Sequence, residues 1–227
     1  MSTRTLADAR RWAALGTELF LAAAAPFGPA EYAAPGPLPG WSRAHLAAHL
    51  AANADALGNL VHWAATGTPT PMYASPAERL AGIERGRALP AAELTRRVRE
   101  SAERLAAALD ALTPEQWQAP VVTAQGRTVP AAELPWLRAR EACVHAVDLA
   151  AGVTFADLPA DFLAALCADV LAKRAPEFVL RTPDGSVRWV PAGDADQPVV
   201  EAELPQLAAY LTGRQHIEGA PPLGPWL

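Results

Sequence analysis

Three residues of this 227-residue chain have the types and spacing that suit a divalent metal: His49, Glu141 and His145. Glu141 and His145 stand four apart in WLRAREACVHAVDLAAG (136–152), which has helical rhythm throughout. At 3.6 residues per turn that spacing puts both side chains on one face, a turn apart, where they can reach a common point. His49 sits in RAHLAAHLAANADAL (43–57), a second helix of similar character. Two imidazoles and one carboxylate fill three positions of a tetrahedral zinc site and leave the fourth for a water or a thiolate, as catalytic sites do.

The same residues have plainer readings. Arg138, Glu141, His145 and Asp148 form one polar stripe at i, i+3, i+7 and i+10, with Leu137, Val144, Val147 and Ala151 on the core side. A solvated face carrying Arg138–Glu141 and His145–Asp148 pairs has the same pattern. His45 and His49 are also four apart and can chelate from a single helix. His49 shares a row with Asn53 and Ala56, small neighbours that leave space beside it, whereas His62 falls on roughly the opposite side. Cys143 points away from the polar stripe and reads as core, as does Cys167 on its apolar helix. The chain has no Gly-x-Ser-x-Gly elbow, no phosphate-cradling glycine loop and no Gly-x-Gly-x-x-Gly fingerprint, which leaves metal chemistry as the strongest option.

The elements that must position these residues are mostly helical. Helix is expected over Thr5–Ala25, then a stiff loop over 26–40. A second helix over 43–65 follows, with Ser42 as N-cap and Leu46, Leu50, Leu57 and Val61 as its apolar stripe. A short helix is expected over 76–86 and a longer one over 90–112, lined by Leu94, Val98, Leu105, Leu109 and Leu112, with Glu93/Arg97 and Glu100/Arg104 pairs outside. Thr113-Pro114-Glu115-Gln116 matches a capping box. Pro130 and Pro135 introduce the metal-bearing helix and Gly152 closes it. Another helix spans 160–173. After Pro176 the character changes: FVLRT, PDGS and VRWVPAG read as a hairpin, 197–202 as a further strand and 204–214 as a last helix.

At 51% hydrophobic residues the chain can bury a substantial core. A net charge of −5 without any Lys/Arg-rich run argues against nucleic acid or an anionic membrane as partner. Two cysteines are too few for a disulfide framework, so the cytoplasm is the expected compartment. Arg10 and Arg11 precede the apolar WAALGTELFLAAAAPFG, but Glu18 interrupts it and Trp12, Leu15, Leu19 and Ala22 share one helical side. That is an amphipathic first helix rather than a signal peptide, and no apolar stretch is long enough to span a bilayer.

Three segments, PGWSRAHLAAHLAANADALGNLVHWAATGTPTPMYAS (39–75), LPWLRAREACVHAVDLAAG (134–152) and LAAYLTGR (207–214) with the closing PPLGPWL, resemble the mycothiol-dependent maleylpyruvate isomerase family. The resemblance implies an α+β, mainly α fold: a DinB-like four-helix bundle over 1–155 and a small α/β domain over 156–227. It implies zinc held by His49, Glu141 and His145, and an activity-bearing arginine matched by Arg214. Arg138 and Asn53 are the expected cofactor-side residues, Arg138 at an anion and Asn53, like Asp148, at a ligand histidine's other nitrogen. Tyr210 departs from the tryptophan common in the family's last helix. The implied chemistry is addition of a zinc-activated mycothiol thiolate to the cis double bond of maleylpyruvate, rotation, and elimination to fumarylpyruvate. An S-transferase using the same thiol, or a non-catalytic metal-stabilised module, are the alternatives. The expected partners are mycothiol and a small unsaturated diacid, acting on a monomer.

Overall fold

The computed structural model describes residues 4–174, 178–190 and 197–223. The protein is mainly α, with short strands in two small sheets. Its contacts divide it into two units, one of Thr5–Val153 and one running from Thr154 onward together with Arg4.

In the first unit α1 (Leu6–Ala24), α3 (Arg43–Thr66), α5 (Ala91–Asp110) and α6 (Leu134–Asp148) form a four-helix bundle. Helix α1 packs on α6, α6 on α3, α3 on α5, and α5 back on α1. Each end of the bundle has its own apolar cluster. One gathers Phe20, Leu46, Leu50, Leu94, Val98 and Leu149; the other gathers Leu57, Leu60, Leu105, Leu109, Val121 and Leu134. Short helices α2 (Pro29–Ala33) and α4 (Pro76–Arg87) pack against α3.

Two of these elements differ from expectation. The stiff loop over 26–40 contains α2, which starts at a proline in the first turn. Between α5 and α6 an unforeseen hairpin pairs β1 (Pro120–Val122) with β2 (Thr128–Pro130), Val121 opposite Val129. The Thr113 box is present: its backbone N–H donates to Gln116 Oε1 at 2.9 Å, opening one 3-10 turn. The expected Glu93–Arg97 and Glu100–Arg104 pairs are replaced. Arg96 takes Glu100 at 2.8 Å, while Arg97 and Arg104 cross to Asp55 on α3 at 3.6 and 2.9 Å. On an exposed surface the shorter reach decides such choices, at little energetic consequence.

Helix α1 buries a different face from the one its leucines suggest. Ala9, Trp12, Gly16, Phe20 and Ala24 are buried, whereas Leu15 and Leu19 are half-buried and Ala22 is exposed. The reason is close approach to α6. A Cβ on Gly16 would lie 2.6 Å from the Cys143 nitrogen and 2.7 Å from its sulfur. Trp12 and Trp136 meet edge to face beside this contact, with centroids 5.8 Å apart.

In the second unit α7 (Ala160–Arg174) packs on α8 (Leu204–Leu211). Strands β3 (Val179–Arg181), β4 (Arg188–Trp189) and β5 (Val199–Glu201) form a sheet of order β4-β3-β5. The hairpin around the Pro-Asp-Gly turn joins β3 to β4, and β5 adds parallel to β3. Part of VRWVPAG and Pro176 lie outside the described residues. Among the described residues no helix is long and apolar enough to cross a membrane.

Gly16→Ala is expected to lower the unfolding free energy by about 1–3 kcal/mol, the usual cost of forcing extra volume into a close-packed contact. A urea titration reads this as a lower midpoint at unchanged slope. Gly58→Ala, where an added Cβ meets nothing within 4 Å, is the control and should be neutral or stabilising.

Candidate metal centre

The start of α3 lies beside the end of α6, so the two helices run in opposite directions. Arg43 in the first turn of α3 donates through Nε to the Leu149 carbonyl at 2.8 Å and through Nη2 to that of Ala150 at 3.0 Å. These are carbonyls that the end of α6 leaves without intrahelical donors. The chain turns there through Ala150, at φ 49°. Farther along, Arg138 of α6 donates through Nη1 to the Leu50 carbonyl at 2.7 Å and to Asn53 Oδ1 at 3.0 Å. The triad sits between these two ties.

His49 Nε2 is 2.9 Å from Glu141 Oε2, and His145 Nε2 is 3.3 Å from the same oxygen. One donor atom from each of the three residues lies within 4.8 Å of the others. The imidazoles stand nearly perpendicular, centroids 5.0 Å apart, and Trp41 presents its ring at 5.5 Å from His49. The side chains of His49, His145 and Glu141 are 6%, 11% and 21% exposed, so the site is nearly dry but open to small molecules through its carboxylate.

The polar stripe of α6 is therefore not a solvated face. Asp148, wholly buried, accepts from His145 Nδ1 at 2.8 Å, which fixes that ring and leaves Nε2 directed at Glu141. Burial works against charge on His145, but the hydrogen bonds to Asp148 and Glu141 outweigh it and push the ring up to about 9. Burial likewise opposes the Glu141 carboxylate, and hydrogen bonds from His145 and His49 hold it well below the ordinary range. Burial lowers His49 despite its bond to Glu141, keeping a neutral imidazole with a lone pair to give. Two carboxylates around two imidazoles make a seat that favours positive charge, with a metal-histidine-carboxylate arrangement at His145. This donor set fits a divalent metal of the zinc type.

The fold recurs in known proteins. Residues 13–150 match the family described as "Mycothiol maleylpyruvate isomerase N-terminal domain". The chain belongs to the mycothiol maleylpyruvate isomerase family. Two solved structures are similar over nearly the full length: the crystal structure of the mycothiol-dependent maleylpyruvate isomerase, and that of a histidine-to-alanine mutant. Each aligns at a TM-score of 0.88 with 38% identity, over 95% of this chain and 93% of the other. No curated protein matches the chain.

In this family member the remaining candidates fall in several places. His45 does not join the triad: its Nδ1 accepts from the Ser42 N–H at 3.0 Å, closing the N-terminus of α3, and Nε2 lies 3.3 Å from Glu84. His62 is exposed. Cys143 is sealed against α1, its thiol donating to the Trp12 carbonyl at 3.4 Å, and burial pushes both it and Cys167 up to about 12. Asn53 reaches Arg138 and no ring nitrogen; Asp148 takes the ring. Arg138 is 3% exposed, and its Nη2 has no hydrogen-bond partner among the described residues.

Arg214 follows α8, which ends at Leu211 rather than running to residue 214. Gly213 takes φ 76° and the Arg214 N–H donates back to the Ala209 carbonyl at 2.7 Å, a Schellman close that needs a glycine there. The Arg214 guanidinium donates through Nη1 to the Thr212 carbonyl at 2.6 Å. A cavity of about 610 Å³ opens beside Trp41 and His45; the triad does not line it.

Asp148→Asn is expected to weaken zinc binding about 10–100-fold, the usual loss when the group orienting a ligand histidine is removed. Competition against a chromophoric chelator measures it, with far-UV circular dichroism unchanged.

Proposed function

We propose that this chain is a zinc-dependent enzyme that uses mycothiol to convert maleylpyruvate to fumarylpyruvate and returns the thiol unchanged. One observation carries the reading. The three donor atoms of His49, Glu141 and His145 converge within 4.8 Å in a chain 38% identical, over 95% of its length, to a solved mycothiol-dependent maleylpyruvate isomerase.

When bound, zinc would supply the positive charge that keeps the mycothiol sulfur as thiolate at neutral pH, the nucleophile whose addition and later elimination let a cis double bond rotate as a single one. The chain's own residues set the conditions. His49, Glu141 and His145 hold the ion, and Asp148 fixes the His145 ring through Nδ1. Three protein donors match the number that catalytic zinc sites carry. Arg138 and Asn53 serve the cofactor side indirectly in this reading. Their mutual bond and the Arg138 grip on the Leu50 carbonyl hold the turn of α3 that presents His49. Burial lowers Arg138 to about 10, against the attraction of Glu141 and Asp55, so it stays cationic at neutral pH.

Arg214 is assigned the charge developing on the substrate's conjugated carbonyl and carboxylate, because a guanidinium pairs with such groups through two parallel hydrogen bonds. The reading keeps a metal-bearing domain over 1–155 and a second domain over 156–227, supported by the division of contacts after Val153. It places the enzyme in the cytoplasm.

Zinc-loaded protein incubated with mycothiol and maleylpyruvate should form fumarylpyruvate with the free-thiol concentration constant. Net loss of thiol to a conjugate would instead establish the S-transferase. His49→Ala should lose both zinc and turnover while still unfolding cooperatively; retained turnover would overturn the metal role, and collapse of the fold would favour a structural metal.

A further inference from the structure

The substrate in that reading is a dianion, and the triad is not the whole of what surrounds His49. Helix α4 lies close against α3: a Cβ on Gly86 would come within 2.8 Å of Ala48 Cβ, next to His49 in sequence. From this helix Arg79 reaches the imidazole on the edge away from Glu141, its Nη2 3.5 Å from His49 Nδ1. Its guanidinium carbon stands 5.9 Å from the Tyr73 ring centroid. Arg79 is half-buried, and so is Tyr73.

The charge around Arg79 does not balance. The other arginines of α4 have acids: Arg85 pairs with Glu78, and Arg87 with Glu84 at 2.6 Å. Arg79 has no carboxylate partner among the described residues. The acids in its vicinity are engaged: Glu141 by two histidines, Asp55 by Arg97 and Arg104, and Glu78 by Arg85. Burial raises the Tyr73 hydroxyl above its ordinary value, so it stands beside Arg79 as a neutral group. A half-buried guanidinium left in this state is unusual, since arginine withdrawn from water is normally paired.

The His49 contact does not supply the missing partner. At 3.5 Å it is at the outer limit of a hydrogen bond. An imidazole that gives its Nε2 lone pair to a metal carries its hydrogen on Nδ1, and then has nothing to offer a donor there. Arg79 also hydrogen-bonds the Tyr73 hydroxyl, a neutral partner that leaves its charge unbalanced, so the rest of its planar fork is available to an anion arriving beside the metal. Arg138, the other cation near the triad, cannot serve a diffusing ligand, because it is 3% exposed and spends Nη1 on Leu50 and Asn53.

We propose that Arg79 is a substrate-binding residue of this site, taking a carboxylate of the unsaturated diacid against the Tyr73 ring. The inference rests on the functional reading above. Of the two reactants there, the diacid carries the carboxylates, so Arg79 selects the substrate and not the thiol.

Arg79→Gln in the zinc-loaded enzyme should raise KM for maleylpyruvate on the order of 10–100-fold, the effect of losing a charge-assisted hydrogen bond. KM for mycothiol and zinc content should be unchanged, and Arg79→Lys should recover part of the loss. Calorimetry with maleate in the absence of mycothiol, when no thiolate can add to it, gives a readout independent of turnover: binding to wild type should weaken by a similar factor in Arg79→Gln. If wild type turns over but Arg79→Gln keeps its maleylpyruvate KM and maleate affinity within twofold, this role is overturned and the isomerase reading stands. Equal loss of zinc or of mycothiol affinity would mark Arg79 as a structural support and also overturn it. If wild type neither isomerises maleylpyruvate nor binds maleate, both fall together.

Discussion

The candidate metal centre depends on the fixed register of α3 against α6. Its three donors come from two helices, and sliding α6 by one residue would move Glu141 and His145 by 1.5 Å along the axis and swing them by 100°. Two arginines prevent this from opposite directions. Arg43 of α3 holds the carbonyls at the end of α6, and Arg138 of α6 holds a carbonyl and an amide on α3. Loosening either tie would leave carbonyls without donors or a buried guanidinium without acceptors, and such unmade bonds cost more than made ones contribute. Gly16 completes the constraint by letting α1 press on α6 backbone to backbone at Cys143.

Within that frame the electrostatics are graded. Burial alone would discharge every group in the triad. The arrangement instead keeps a carboxylate ionised between two rings, one ring cationic beside a second carboxylate, and the other ring neutral. Two carboxylates beside two rings that can each give a lone pair are surroundings that suit a divalent cation.

Much of this was legible in the chain, for definite reasons. Glu141 and His145 are one turn apart on a helix with a clear boundary, and periodicity alone places them together. The apolar stripes of α3 and α5 were equally plain: Leu46, Leu50, Leu57 and Val61, and Leu94, Val98, Leu105 and Leu109, are all buried. Periodicity could not tell that the polar stripe of α6 faces inward, because a helix packed on both sides buries its polar row as well as its apolar one. Nor could it orient α1, where a glycine contact outranked two leucines. The hairpin over 120–130 escaped notice because its strands are three residues each and begin or end in proline. Selecting His49 over His45 needed resemblance, since both lie on the same helix one turn apart. Arg43 and Arg79 carry no local signal; each acts on a residue far along the chain.

The core of the bundle is filled by groups other than the triad. Apolar clusters fill both of its ends, built around leucines with no exposed surface, and the two inter-helix ties are made by arginines that touch no ligand atom. Small domains that need a structural metal are ones whose core is too small to stand without it, and they close the coordination shell with four protein groups. Here three candidate donors stand beside apolar clusters that do not include them. Half-buried Arg79, short of a carboxylate partner among the described residues, continues the same pattern outward, because a fold selected only for stability would have paired it. Positive charge left uncancelled beside a seat for a cation is costly to the resting protein. In the proposed reading it becomes favourable when a doubly charged ligand arrives between the two, which is where a site for chemistry and a site for structure part company.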